Sequence, residues 1–172
     1  MSAQPFRLVL LNAEHDRKRF ESGSAALDRY LREQVSQDIR RRVAACFVAV
    51  TNEQCVAGYY TLASASIELS DLPQATAKKL PRYPSVPAVR MGRLAVDRDF
   101  KGMGLGGALL ADALRRSAQA EIAAHALIVD AKDQTAADFY RHHGFVALPS
   151  SSLRLFLPLA TVAGLIDAGP SR

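Results

Sequence analysis

The chain reads as one mixed α/β domain, and three observations predict it. Strand-like apolar runs alternate with segments of helical spacing. Two of those runs, in the first half, are joined by four turn-forming residues, which marks an antiparallel hairpin. The second half runs strand, glycine-rich loop, helix, strand, helix, strand. At 172 residues the length suits a single domain, residues 1–172, with a substantial core. Apolar residues make up 49% and charged residues 23%, the balance of a globular protein rather than a disordered one.

Each element has its own signal. Phe6–Leu11 ("FRLVLL") is the first strand. In the polar stretch that follows, Leu27, Tyr30, Leu31 and Val35 fall at helical spacing, with Phe20 a further apolar position upstream. Ser24 is a suitable N-cap, and Gly23 is expected to separate this helix from a short one before it. Val43–Val50 and Cys55–Leu69 are the hairpin strands, joined by "TNEQ". Ser70–Pro87 carries four prolines and reads as a loop with at most one helical turn. Ala88–Asp97 is a strand, Gly107–Ala124 a helix and Ala126–Asp130 a short buried strand. Thr135–Phe145 is a helix that Gly144 ends in a left-handed cap, and Ser152–Leu159 is a closing strand.

Composition narrows the partners. Lys and Arg number 22 against 17 Asp and Glu, a net charge of +5, which favours an anionic partner. Cys46 and Cys55 lie in apolar strands without metal-ligand spacing, so they read as buried thiols in a reducing compartment, and no metal site is expected. "MSAQPFRLVLL" lacks the parts of a signal peptide, and no apolar run reaches the ~20 residues that span a bilayer. The expectation is a cytoplasmic protein with no membrane partner.

The chemistry concentrates in "FKGMGLGGALLADAL", Phe100–Leu114. Gly102, Gly104 and Gly107 spell the dinucleotide pattern G-x-G-x-x-G, and Asp130 closes the next strand, where a ribose-binding acid is expected. Position in the chain argues against that reading. About 95 residues of antiparallel character precede the loop and only some 40 follow the next strand, whereas a dinucleotide domain begins with this unit. The physics is independent of the label. Glycines let backbone N–H groups converge on an anion, the helix N-terminus adds positive potential, and Lys101 supplies a cation at the entrance.

The frame Lys101-x-x-Gly104-x-Gly106 resembles the acetyl-CoA signature of the GNAT superfamily of N-acetyltransferases, with Lys where Gln or Arg is usual. "DQTAADFYRHHGF" is similar to the second family motif, with Asp133 in place of Asn. The resemblance covers nearly the whole chain. It implies a mostly antiparallel, splayed central sheet flanked by helices, with acetyl-CoA as the cofactor. It implies that Leu94, Ala95 and Val96 offer amides to the pantetheine arm and the thioester carbonyl. Lys101, Gly102, Met103, Gly104, Leu105, Gly106 and Gly107, with Asp133, then belong to the cofactor site. Tyr140 takes the place of the general acid that protonates the departing thiolate.

A closer resemblance is to the GNAT toxins of bacterial type II toxin–antitoxin pairs. It is carried by "HDRKRFESGSAALDRYLREQ", "VAGYYTLASASIEL", "LPRYPSVPAVRMGRLAVD" and "DAKDQTAADFYRHHGF". It implies acetylation of the aminoacyl group of charged tRNA, arrest of translation, and neutralisation by a ribbon-helix-helix antitoxin. A homodimer is compatible with it. Asp97 and Glu68 are then the candidate bases, although an aminoacyl ester lowers the amine pKa and reduces the need for one. Arg40, Arg41, Arg42, Lys78, Lys79, Arg82, Arg90 and Arg93 become candidate tRNA contacts. The alternatives are acetylation of a small amine or a protein N-terminus, and a non-catalytic CoA-binding or DNA-binding regulatory module.

Overall fold

Seven strands form a sheet: β1 (Arg7–Leu10), β2 (Ala45–Val50), β3 (Val56–Glu68), β4 (Ser85–Val96), β5 (Ala126–Asp130), β6 (Val146–Leu148) and β7 (Ser151–Pro158). They hydrogen-bond in the order β1-β2-β3-β4-β5-β7-β6. The computed structural model describes residues 6–168; the first five residues of the N-terminal run and the last four of the chain lie outside the described residues. Pairing is antiparallel for β1/β2, β2/β3, β5/β7 and β6/β7. β4 and β5 are parallel because helix α4 (Leu105–Gln119) carries the chain back between them. This is the mixed, mostly antiparallel α/β sheet expected. Parallel pairing runs from Ala88↔Ala126 to Met91↔Val129 and stops there, although β4 continues to Val96.

The chain divides into two compact units, Met1–Ala63 with Gly92–Ala113, and Ser64–Met91 with Leu114–Arg172. In the first, Phe20, Leu31, Val35, Val48 and Tyr59 form an apolar cluster, all at most 2% exposed. Burying each such side chain contributes about 1.5–3 kcal/mol. Helices α1 (Ala25–Arg29) and α2 (Val35–Arg40) flank a π-helical turn, Tyr30–Gln34, in which the Val35 N–H donates to the Tyr30 carbonyl. Ser24 caps α1 by accepting from the Leu27 N–H, as expected. Within the second unit, Ile67, Leu72, Val86, Ile128, Leu148 and Phe156 form a separate cluster. Among the described residues, no helix is long and apolar enough to cross a membrane.

Several boundaries differ from expectation. Among the described residues, no helix precedes Gly23. There the Asn12 and Asp16 side chains accept from the Glu14 and Lys18 amides, and these local turns take the donors a helix would use. α4 stops at Gln119 rather than Ala124, because the chain must turn into β5; Ile122 is left 87% exposed. Propensity is too weak to resist such a tertiary demand. β4 begins at Ser85, three residues early, and Ser70–Pro87 holds two helical turns rather than one, a 3-10 turn at Leu69–Asp71 and the short helix α3 (Gln74–Ala77). Two elements, β6 and helix α6 (Leu159–Ala168), are not among those expected from the sequence. Helix α5 (Gln134–His142) ends at His142 rather than at Phe145, and Gly144 takes the left-handed conformation expected, at φ +96°.

Candidate active site

β4 delivers the chain into the glycine loop through one tight turn, Arg98–Phe100. Gly102 and Gly104 sit at φ +81° and +78°, and a Cβ at either would meet nothing within 4 Å. The backbone conformation alone therefore calls for glycine, since the space in front of the loop is open. Lys101 to Gly104 are exposed, Leu105 is buried as the first residue of α4, and Gly106 and Gly107 are half-buried in its first turn. The opening N–H groups of a helix have no partner within it. Here they stand at an exposed, glycine-lined end of a 15-residue helix, the arrangement that binds a phosphate group.

Just upstream, Ala95 is buried, Leu94 and Val96 are half-buried, and the Arg93 guanidinium lies 3.5 Å above the centroid of the Tyr30 ring. Tyr30 is held in turn by its hydroxyl, which donates to Asp38 at 2.7 Å. Arg93 is thus fixed at the π-helical turn of the same unit. Arg90 is exposed on β4, in register with Ile128 of β5.

Two residues singled out for charge chemistry are otherwise engaged. Asp97 is 7% exposed, and its two oxygens accept from the Glu21 and Asp99 amides, each at 2.9 Å. It caps the turn after β4, and no lone carboxylate oxygen stands ready as a base. Lys101 donates from Nζ to the Ser22 carbonyl at 2.5 Å. Glu68 is exposed and lines a cleft of about 560 Å³ in the second unit with Ser66, Ser70, Asp71, Ser150 and Arg154.

In the second unit Asp133 N-caps α5, accepting from the Ala136 N–H at 2.9 Å. Capping gives a local reason for Asp at this position. Tyr140, on the same helix, is 8% exposed, with the rings of Phe139 and Phe145 at 5.3 and 5.6 Å. Burial pushes its phenol up from 10 to about 12, so it keeps its proton throughout the neutral range. His142 and His143 are exposed at the helix end.

Burial also raises Tyr30 and Tyr59 in the first unit. All three tyrosines hold protons in the folded state that the unfolded chain sheds from about pH 10. Their contribution to stability is then fully present below pH 10 and falls as pH climbs toward the folded values. The buried Cys46 thiol is raised from 9 to about 12 as well, so urea titrations at pH 8, 10 and 11 should give a midpoint that already falls between pH 8 and 10 and drops further by pH 11. A midpoint unchanged at pH 11 would contradict the assignment.

The basic residues lie in both units. Arg40 ends α2, Arg41 caps it, and Arg42 follows at φ +61°. The Arg42 N–H donates to the Ile39 carbonyl and the Val43 N–H to Asp38, a C-terminal closure that usually places glycine where Arg42 stands. All three arginines are exposed. Lys78, Lys79 and Arg82 are exposed just after α3.

The first unit thus carries an exposed helix N-terminus suited to a phosphate group, and the second a buried phenol that keeps its proton. The chain belongs to the acetyltransferase (GNAT) domain family, whose model matches residues 42–147. It is 37% identical over 149 residues to a tRNA-acetylating toxin of Mycobacterium tuberculosis (strain ATCC 25618 / H37Rv), covering 86% of this chain and 88% of that one. Among solved structures it is similar to AtaT complexed with acetyl-methionyl-tRNAfMet. That match has a TM-score of 0.88 and 31% identity, and covers 94% of this chain and 99% of that one. It is also similar to a tyrosine-to-phenylalanine mutant of the AtaT toxin bound to the C-terminus of the antitoxin AtaR and acetyl-CoA. There the TM-score is 0.80 at 28% identity, over 94% and 98% of the two chains.

Proposed function

We propose that the protein is an acetyl-CoA-dependent toxin that acetylates the α-amine of aminoacyl-tRNA and so blocks translation. The observation that carries this reading is the near full-length similarity, at 37% identity, to a tRNA-acetylating toxin. In this reading the loop Lys101–Gly107 and the first turn of α4 hold the pyrophosphate of acetyl-CoA. Amides of Leu94, Ala95 and Val96 hold the pantetheine arm and the thioester carbonyl, whose oxygen gains charge as the amine attacks. Acetyl-CoA supplies the activated acetyl group. The Tyr140 hydroxyl offers its proton to the leaving sulfur. Asp133 acts through the start of α5 that it caps.

In this reading Arg40, Arg41, Arg42 and Arg93 of the first unit, and Lys78, Lys79 and Arg90 of the second, contact tRNA. Arg42 supports this assignment, because a non-glycine residue at φ +61° costs roughly 1 kcal/mol that glycine would avoid. The partner that neutralises the toxin is a ribbon-helix-helix antitoxin, the site of action is the cytoplasm, and the active form is a homodimer.

Incubation with labelled acetyl-CoA and charged total tRNA tests the function. Label should appear on the amino acid and leave the tRNA with it when the ester is cleaved by mild alkali. No label on that fraction, with turnover of small amines instead, would overturn the reading. Changing Arg40, Arg41 and Arg42 together to Ala should raise KM for tRNA several-fold at low salt, leave KM for acetyl-CoA unchanged, and flatten the salt dependence. An unchanged salt slope would remove the triplet from the tRNA surface.

A further inference from the structure

We infer that Lys101 acts as a tether, holding the glycine loop to the turn Phe20–Gly23, so that the start of α1 and the loop form one hydrogen-bonded unit. The inference rests on the reading that this loop holds the acetyl-CoA pyrophosphate, and assigns Lys101 a task other than pairing with it.

Three bonds stitch the segments together. The Lys101 ammonium donates to the Ser22 carbonyl at 2.5 Å, the Glu21 N–H to Asp97 at 2.9 Å, and the Arg98 N–H to the Glu21 carbonyl at 2.9 Å. Each joins residues more than 70 positions apart in the chain. The far side of the turn is itself anchored. Ser22 is buried, and both its N–H, at 3.0 Å, and its hydroxyl, at 2.6 Å, donate to the buried Asp28 of α1. Arg32 donates to the Phe20 carbonyl at 2.6 Å. Gly23 stands beside the ammonium at φ +100°, a backbone conformation that calls for glycine; a Cβ there would make only an ordinary 3.7 Å contact with the Lys101 Nζ.

The chemistry separates tether from phosphate ligand. A pyrophosphate partner needs the positive charge of Lys101, whereas a carbonyl needs only a donor of sufficient reach. Carbonyl tethering also explains why Lys can stand where the family uses Gln or Arg. Loop geometry matters to the cofactor because the amides of Gly102 to Leu105 must converge on one anion, and a loop free to drift loses that alignment. Asp28, which lies on α1, then influences cofactor affinity only through Ser22 and Lys101.

Titration calorimetry with acetyl-CoA on the full chain tests the tether. Lys101→Met should raise Kd about tenfold, and Lys101→Gln, which keeps a neutral donor, should stay within about threefold of the parent. Asp28→Ala should also raise Kd several-fold, although losing a negative charge would by itself favour an anion. Adding Asp28→Ala to Lys101→Met should cost little more. Equal losses for Gln and Met would overturn the tether in favour of a charge contact. So would parental affinity in a folded Asp28→Ala protein. If that variant fails to fold, Ser22→Ala, which removes the hydroxyl that donates to Asp28 and accepts from the Ser24 N–H but keeps the Ser22 N–H bond to Asp28, should weaken binding measurably, and no change would overturn the tether. Hydrogen exchange without cofactor reads the tether directly: amides 21–24 should exchange faster in Lys101→Met. Parent protein that fails to bind acetyl-CoA while this exchange difference stands would refute the reading of the loop and leave the tether intact.

Discussion

Tyr140→Phe is expected to lower kcat for acetyl transfer by roughly 100- to 1,000-fold while leaving the Kd for acetyl-CoA within about twofold. The change removes one oxygen and keeps the ring, so the packing against Phe139 and Phe145 survives. What is lost is the proton on a phenol that burial holds at about 12. A thiolate leaving without a proton donor must carry its full charge through the transition state, and the penalty falls on the chemical step. Rapid-quench measurement of the first turnover isolates that step. An undiminished first turnover would show that Tyr140 is only a core aromatic. The same raised phenol bears on the pH profile. Because Tyr140 stays protonated well above neutrality, the rate should rise with pH as the acceptor amine loses its proton. No fall attributable to Tyr140 should appear between pH 7 and 9. An alkaline decline in that window, abolished in Tyr140→Phe, would contradict the assigned proton state.

Local signals were legible in the sequence, and partners distant along the chain were not. β5 has the bounds its sequence predicts because four apolar residues, Ala126 to Val129, all buried, run up to the exposed Asp130 at the turn. Ser24 and Gly144 were read correctly because capping and left-handed termination depend on a few adjacent residues. The π-helical turn at Tyr30 was invisible, since Leu27, Tyr30, Leu31 and Val35 satisfy ordinary helical spacing as well. Asp97 reads as a possible base only while Glu21, 76 residues away, is ignored. Lys101 reads as a phosphate cation until Ser22, 79 residues away, takes its ammonium. Tyr60 and Asp112, a buried pair at 2.7 Å and 52 residues apart, carried no pattern that could flag them. Residue type and spacing reveal what a position is able to do, and the fold decides which neighbour occupies it.

Gly104→Val should weaken acetyl-CoA binding by about 10- to 100-fold, with a much smaller effect on overall stability. At φ +78° a β-branched residue is a genuine outlier, costing on the order of 1–3 kcal/mol. No atom lies within 4 Å of the position a Cβ would take, so core packing is not disturbed. The loop can relieve the strain by moving, because its surroundings are open, and the native melting temperature should fall only by a few degrees. Moving the loop turns the amides at the start of α4 away from their common focus, and the loss appears in cofactor affinity. A series at this one position separates backbone strain from bulk. Asn tolerates the left-handed region, Ala tolerates it less and Val least. The affinity order should therefore be Gly, Asn, Ala, Val, although Asn is larger than Ala. Calorimetric titration of the four proteins with acetyl-CoA decides the matter. Affinities that follow side-chain size, with Asn weaker than Ala, would mean that Gly104 serves to clear space and that the loop conformation is not what grips the phosphate.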